Sequence, residues 1–321
     1  MQIVIDGDQA YTAYSKNLEK RGFGTKRGGK IFLHPVEVVY LAIKNKADVR
    51  FRGRSLNLPE LFSWAVSIDE DFIPFYYAYE DLRRRGYRVR PMNEFLIAKH
   101  VFLPIAESKK VSIAEIAEKR VENLVIAVVD EENEVTYYRV EEVDVKGHHF
   151  EKLGKIRGIL IKDRILSEDT EIFERFFYGS IKDGVVSLSL LEGLYLVEIG
   201  VLEVYSSGKM VSIEELREIA RSFDPNFDRR FEVYKDLKLR NFVVKTGFKF
   251  GSDFRVYERV ESVEDLPHSK FLVTIVDDRK LPMFEIARAV RLAQNVRKRQ
   301  LFVYKNSNGK NKFILIERIK V

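Results

Sequence analysis

The sequence predicts an α+β, mixed α/β fold built by tandem duplication, and three observations predict it. The chain matches itself at a constant offset of 155 residues. Within each copy the apolar pattern passes from helical spacing to strand-like runs, so each reads as a small helical N-terminal unit followed by a mixed-sheet α/β unit. Finally, 321 residues that are 45% hydrophobic can bury a core of two ordinary domains, and with no cysteine they do so without disulfides.

The repeat is read first because it decides architecture before individual residues do. Gly24 and Gly29 match Gly179 and Gly184; Glu37, Tyr40 and Leu41 match Glu192, Tyr195 and Leu196; Gly53, Glu60 and Leu61 match Gly208, Glu215 and Leu216. The register continues through Phe72 and Phe227, Tyr79 and Tyr234, Asp81 and Asp236, Arg85 and Arg240, to Val89 and Val244. The runs IFLHP and VVSLS read as strands, VEVVYLAI and LEGLYLVEI as helices. A capping box, Ser212 with Glu215, starts the next helix by satisfying its first free amides. The helices YEDLRRRG and YKDLKLRN end at Gly86 and Asn241, residues suited to a left-handed stop. Strands FRVYERV, FLVTIVDD, LFVYK and FILIERIKV follow in the second copy, with the helix FEIARAVRLAQNVRK among them. Four modules result: 1–85 and 166–240 as N-terminal units, 86–165 and 241–321 as α/β units.

Composition removes several function classes. Without cysteine there is no thiol nucleophile and no Cys-ligated zinc or iron–sulfur site. No apolar run approaches the roughly 20 residues of a membrane span, and MQIVIDGDQA has neither the basic nor the apolar region of a signal peptide, so a cytoplasmic protein is expected. The net charge of +6 is modest but unevenly spread. From Arg288 to Lys312 there are cations and no acids, whereas Asp130, Glu131, Glu132 and Glu134 form an acidic cluster.

The copies differ where chemistry would sit. Continuing the 155 offset aligns Phe102 with Tyr257, keeping a ring and losing a hydroxyl. The next match, Glu115-Ile116-Ala117 with Glu285-Ile286-Ala287, has an offset of 170. Fifteen residues are therefore absent from the first copy, in the region of His268, which makes that copy a retained scaffold.

Three strings of the second copy, GFKFGSDFRVY, LPHSKFLV and ARAVRLAQNVRK, resemble the archaeal tRNA-splicing endonucleases, and with the duplication the whole chain resembles their homodimeric class with two fused repeats. The resemblance implies a nuclease-like catalytic unit that cuts precursor tRNA at a bulge-helix-bulge, leaving a 2′,3′-cyclic phosphate and a 5′-hydroxyl as a lyase does. It implies Tyr257, His268 and Lys298 as the catalytic triad, and Arg291 and Arg318 as the grip on a bulged nucleotide. It also implies that the acidic loop Asp130, Glu131 and Glu132 docks into a basic groove of a second copy. No cofactor and no metal are implied.

The residue chemistry is consistent with this. RNA is cut without metal when its 2′-hydroxyl attacks the adjacent phosphate, which needs a base, an acid for the leaving 5′ oxygen, and a cation for the developing charge. His268 suits the acid, because an imidazole titrates near neutrality. Lys298 is a point charge for a non-bridging oxygen. Tyr257 as base needs neighbouring cations to push a phenol below its usual value of about 10. Arg291 and Lys298, seven residues apart, are expected on one helix face, with Ile286, Ala289, Val290, Ala293 and Val296 on another.

The rival readings are a non-catalytic RNA-binding or structural subunit and a metal-dependent nuclease. Other clusters read as structural. The glycines of RGFGTKRGGK fit no phosphate-binding pattern, His148-His149 lacks a third ligand, Arg83 to Arg85 are expected on a solvated helix, and Asp236 and Glu258 lack the spacing of a metal-dependent nuclease.

Overall fold

The computed structural model describes every residue except Asp265. The chain divides into two compact units: Met1–Glu141 with Lys280–Arg288 and Ile316–Val321, and Glu142–Arg279 with Ala289–Leu315.

The first unit opens with the hairpin β1 (Gln2–Asp6) and β2 (Gln9–Ala13), then α1 (Lys16–Lys20), β3 (Thr25–Arg27), β4 (Lys30–Leu33), α2 (Pro35–Ile43), β5 (Asp48–Phe51), β6 (Arg54–Ser55), α3 (Leu58–Ile68) and α4 (Phe72–Arg84). The six strands form one sheet in the order β3-β4-β2-β1-β5-β6. The unit then continues with β7 (Arg90–Met92), β8 (Phe95–Ile97), β9 (Val101–Ala106), β10 (Lys110–Ser112), α5 (Ile113–Glu118), β11 (Leu124–Val129) and β12 (Val135–Glu142). Here the strand order is β7-β8-β9-β11-β12, with β9 and β11 parallel across α5.

The second repeat follows the same plan. Its N-terminal module holds β13 (Ile156–Ile161), β14 (Arg164–Ser167), α6 (Glu171–Glu174), β15 (Ser180–Lys182), β16 (Val185–Ser189), α7 (Leu190–Glu198), β17 (Leu202–Ser206), β18 (Lys209–Met210), α8 (Ile213–Phe223) and α9 (Phe227–Leu239). The bounds of α7, α8 and α9 are those of α2, α3 and α4 moved by the predicted 155 residues. The sheet order, β15-β16-β14-β13-β17-β18, is also the same. Then come β19 (Val243–Thr246), a 3-10 turn at Phe248–Phe250, β20 (Phe254–Tyr257), β21 (Phe271–Ile275), β22 (Lys280–Pro282), α10 (Met283–Asn295), β23 (Arg299–Lys305) and β24 (Asn311–Ile319), in the order β19-β20-β21-β23-β24.

The shared residues of the repeat explain why the plan holds twice. Glu37 accepts the amides of His34 and Gly24, each at 2.9 Å; Glu192 accepts those of Ser189 at 3.0 Å and Gly179 at 2.9 Å. Each carboxylate therefore caps a helix and ties a turn in place. Gly24 and Gly179 have φ of +62° and +65°, and a Cβ on either would lie 2.5 or 2.6 Å from a backbone carbonyl oxygen, so only glycine fits. Gly86 (φ +90°) and Asn241 (φ +61°) stop α4 and α9 as expected.

Four expectations change. Each N-terminal unit carries a six-stranded sheet as well as its helices, because the opening hairpins pair into it. The boundary drawn at 165/166 falls inside β14, which pairs with β13 and β16, so the whole hairpin belongs to the second repeat. Arg84 and Arg85 are exposed as expected, but Arg83 and Arg85 are also structural ties: Arg83 donates to the Tyr79 hydroxyl and the Arg21 carbonyl, and Arg85 grips the buried Asp81 at 2.6 Å and the Val321 carbonyl.

The fourth concerns Phe102. It lies on β9, which has the position of β21, so it corresponds to Leu272 and not to Tyr257. The strand that corresponds to β20 is β8. Ile97 pairs with Val101 as Val256 pairs with Phe271, which puts Ala98 at the place of Tyr257. The fifteen missing residues are split between two connections: β7–β8 has two residues where β19–β20 has seven, and β8–β9 has three where β20–β21 has thirteen.

Among the described residues, no helix is long and apolar enough to cross a membrane.

Candidate active site

The sequence FRVY makes β20 a short buried strand, and its last residue, Tyr257, pairs with Val243 and is only 4% exposed. The ring packs with Val243 and Val260 and meets Phe177 edge-on, with centroids 5.9 Å apart. Burial raises its pKa above that of a free phenol; Arg255 pulls the other way but does not win. The expectation that neighbouring cations leave Tyr257 with a lowered pKa is thus not met, because desolvation is the larger effect.

Lys298 follows α10. The helix stops at Asn295, Arg297 takes a left-handed φ of +58°, and the Lys298 amide reaches back to the Ala293 carbonyl at 2.8 Å. Lys298 therefore lies outside the helix, and the seven-residue argument placing it on the face of Arg291 fails. Its side chain is 8% exposed, with Nζ 3.4 Å from the Val296 carbonyl and 5.3 Å from the centre of the Phe250 ring. Burial lowers its pKa, and Arg255 lowers it further. The inward face of α10 is as expected in Ile286, Val290 and Ala293, all buried, while Arg291 is exposed.

The strand ladder brings these residues to one sheet edge. β20 runs antiparallel to β21, and β21 parallel to β23, so the end of β20 and the starts of β21 and β23 coincide. The Lys270 amide donates to Val256 at 2.8 Å and the Arg299 amide donates to Lys270 at 2.9 Å. Tyr257, Lys270 and Lys298 are thus neighbours along that edge. His268 is exposed in the connection that enters β21, two residues before Lys270.

Arg255 is the residue the sequence reading missed. Two positions before Tyr257 on the same strand, it shares Tyr257's face. Its guanidinium carbon is 5.8 Å from the Tyr257 ring centre, and its buried Nε has no hydrogen-bond partner among the described residues. Its charge acts on both Tyr257 and Lys298. With Phe177, Arg230 and Lys245 it lines a cleft of about 640 Å³, which does not include Tyr257 itself. The alternation in FRVY was the available signal.

In the first repeat the same edge lacks the tyrosine and the lysine. Ala98 replaces Tyr257, and Asn123, beside Leu124 where Lys298 precedes Arg299, replaces the lysine; the three-residue β8–β9 connection bears one histidine, His100, directly before β9, at the place of Lys270 and not of His268. Arg318 is exposed on the part of β24 that belongs to the first unit.

The acidic loop is a tight hairpin between β11 and β12. Asp130 Oδ1 accepts the amides of Glu132 and Glu134 at 3.0 and 2.8 Å, so this carboxylate builds the turn, while Glu131 and Glu132 are exposed. Among the described residues, no three His, Asp or Glu cluster as a metal site. His149 is buried in the segment before β13, its Nε2 3.4 Å from Glu151.

Residues 227–313 match the catalytic C-terminal domain of tRNA intron endonucleases, and residues 1–62 and 156–217 each match the N-terminal domain of that family. The tRNA-splicing endonuclease of Methanosarcina mazei is 33% identical, with 93% of this chain and 92% of that protein aligned. Those of Methanosarcina acetivorans, 32% identical over all of both chains, and Haloarcula marismortui, 33% identical over 99% of both, are similar. A catalytic domain within full-length relatives of this kind makes the protein an endonuclease of tRNA splicing and sets aside the reading as a non-catalytic subunit. By its two N-terminal domains and its catalytic domain, the chain belongs to the tRNA intron endonuclease family.

Proposed function

We propose that this endonuclease cuts precursor tRNA at a bulge-helix-bulge without a metal, forming a 2′,3′-cyclic phosphate and a 5′-hydroxyl, with Tyr257, His268 and Lys298 as its catalytic residues. The observation that carries this is the sheet edge where two buried ionisable groups, Tyr257 and Lys298, lie in the field of one cation, Arg255, beside the connection that bears His268. A buried ammonium held ready for a phosphate gains strength from exclusion of water. Tyr257 is a neutral phenol before RNA binds; the positive side chains around it favour loss of its proton to solvent, and the phenolate then takes the proton of the attacking 2′-hydroxyl while His268 supplies one to the leaving 5′ oxygen. His268, exposed on its loop, meets the leaving oxygen when RNA is bound.

Arg291 and Arg318 grip the bulged nucleotide through their guanidinium planes, so Arg291→Lys weakens bulge recognition more than binding to plain duplex RNA. Equal loss on both RNAs identifies a simple phosphate contact. The working assembly is a homodimer in the cytoplasm, since two cuts at fixed spacing need two centres and one chain offers one. Its acidic hairpin contacts the partner's catalytic unit.

Incubation of the protein with a bulge-helix-bulge RNA in excess EDTA, followed by end-group analysis, tests the reading. Cyclic phosphate and 5′-hydroxyl ends are expected. Cleavage that stops in EDTA, or a 3′-hydroxyl product, overturns it.

A further inference from the structure

The outer face of the first N-terminal sheet has no role in the reaction above, yet its side chains differ sharply from those at the same places in the second repeat. In the first, register places Thr25, Phe32, Tyr11, Val4 and Arg50 in one row across five strands. In the second, the same four pairings place Ser180, Ser187, Leu166, Ile159 and Tyr205 in the equivalent row. The backbone scaffold is therefore held constant, and only the surface chemistry has changed.

On the first sheet the change yields an aromatic pair among cations. The rings of Tyr11 and Phe32 lie 5.7 Å apart. Lys30 Nζ is 3.8 Å from the Tyr11 ring centre, and the Arg27 guanidinium carbon is 5.6 Å from that of Phe32. Lys26 Nζ lies 4.3 Å from the ring centre of the exposed Tyr14. Lys26, Arg27 and Lys30 are exposed and, among the described residues, make no ion pair; Arg50 is paired with Asp48, and Asp6 is the other acid of this face. Residues 1–55 hold eleven Lys and Arg against five Asp and Glu, a net +6, while residues 156–210 hold six against nine, a net −3. The whole chain's excess charge equals that of residues 1–55.

We infer that this sheet face is a second RNA-contacting surface, which stacks an unpaired nucleobase of the substrate on Tyr11 and Phe32 while Arg27, Lys30 and Arg50 hold its phosphates. Rings offer every base a π-face, and cations beside them track the backbone, which is the common form of sequence-tolerant single-strand recognition. A partner protein would find few apolar anchors among these exposed cations, so charge complementarity selects the polyanion. The inference rests on RNA being the substrate, and its experiment is chosen to separate the two.

The second repeat supplies residues this scaffold already accepts, so the test chain carries Tyr11→Leu, Lys30→Val, Phe32→Ser and Arg50→Tyr. Single-turnover cleavage of precursor tRNA should show KM raised roughly 10- to 100-fold, the stacking and charge loss of one to two bases, with saturating rate unchanged. Binding of a short unpaired oligoribonucleotide to the parent chain should fall with salt, and a variant with Arg27→Gln and Lys30→Gln should reduce the slope by about 0.7 for each phosphate no longer neutralised. A precursor carrying photoreactive uridines should cross-link to the peptide containing Tyr11 or Phe32 in the parent. KM within twofold of the parent, a fall in saturating rate alone, or cross-links confined to other peptides each overturn the inference. If the parent binds the oligoribonucleotide through this face but cuts no precursor, the proposed reaction fails and this surface stands.

Discussion

The two N-terminal modules solve one structural problem with a buried glutamate, and differ in what surrounds it. Glu37 and Glu192 each accept two backbone amides at equivalent places. Glu192 also meets Lys245 Nζ at 3.0 Å, and that cation lowers its pKa despite burial. Glu37 has no hydrogen-bonded cation among the described residues; Arg83 and Arg90 act on it only at a distance, and burial pushes its pKa up to about 7. The backbone pattern that makes the fold is thus preserved, while charge balance drifts with neighbours outside the repeat's matched residues. The two sheet edges teach the same lesson: one ladder carries Tyr257 and Lys298, the other Ala98 and Asn123.

The largest expected difference between the copies is catalytic. His268→Ala and Lys298→Ala should each lower single-turnover cleavage roughly 10²- to 10⁴-fold with RNA binding largely kept, and Tyr257→Phe should do the same without unfolding. Ala98→Tyr in the first repeat should create no new cut, since Asn123 stands where the second repeat has Lys298, and His100, directly before β9, holds the place of Lys270 rather than that of His268. Parental turnover in any of the three variants removes the assignment; a new cut by the Ala98→Tyr chain breaks the contrast.

Stability should separate the two glutamates next. Lys245→Met leaves Glu192 charged and buried, costing about 3–5 kcal/mol in denaturant unfolding, and adding Glu192→Gln should recover part of that. For Glu192 the folded pKa is depressed, so its contribution is present above about pH 4.5 and is lost as pH falls. For Glu37 the folded pKa is raised from 4.5 to about 7, so its contribution is present below pH 4.5 and is lost as pH rises through 7. Glu37→Gln should therefore compare better with the parent at pH 8 than at pH 5 in thermal melts. The opposite order would mean that the two capping sites are electrostatically alike.

Arg255 sharpens the comparison at the active edge, since Leu96 holds its place on β8. Removing its charge should raise the pKa of both Tyr257 and Lys298, moving the alkaline limb of the pH–rate profile upward and lowering the rate at pH 7 about tenfold per pKa unit. Arg255→Gln should show this shift and Arg255→Lys should largely restore the parental profile. A profile that keeps its position while the rate falls would make Arg255 a packing residue.

What was legible in the sequence follows from what constrains a sequence. The 155-residue register was visible because Gly24, Glu37 and their counterparts meet backbone requirements that few residues satisfy. The opening hairpins were not read, because QIVID and QAYTA are short, and half of each faces solvent. Phe102 was misaligned because an insertion has no local signature: the extra residues enter on both sides of β20, and only strand pairing shows where. The helix end before Lys298 was hidden because a left-handed stop is usually glycine or asparagine, and here it is Arg297.

The smallest effect is expected at the paired hairpins, which are the same turn in opposite charge. Asp130 Oδ1 accepts two amides of its loop; Asn306 Oδ1 accepts those of Asn308 and Lys310 at 3.1 and 2.9 Å. Asn133 and Gly309 take the left-handed position, with φ of +65° and +72°. An amide oxygen therefore does what the carboxylate does, and Asp130→Asn with Glu131→Gln and Glu132→Gln should leave the hairpin folded. It removes three charges from the proposed dimer contact without removing its shape. Several carboxylates meeting several cations set register as well as affinity, and their loss is felt in proportion to how far water is excluded. The triple variant should dissociate at a concentration several-fold higher than the parent by light scattering, and cut one of the two sites without the other on dilution. Because screening already weakens the parental contact, the gap between the two chains should narrow as salt rises. A parental dissociation concentration at low salt, together with paired cleavage on dilution, would reduce the acidic hairpin to a solvated turn.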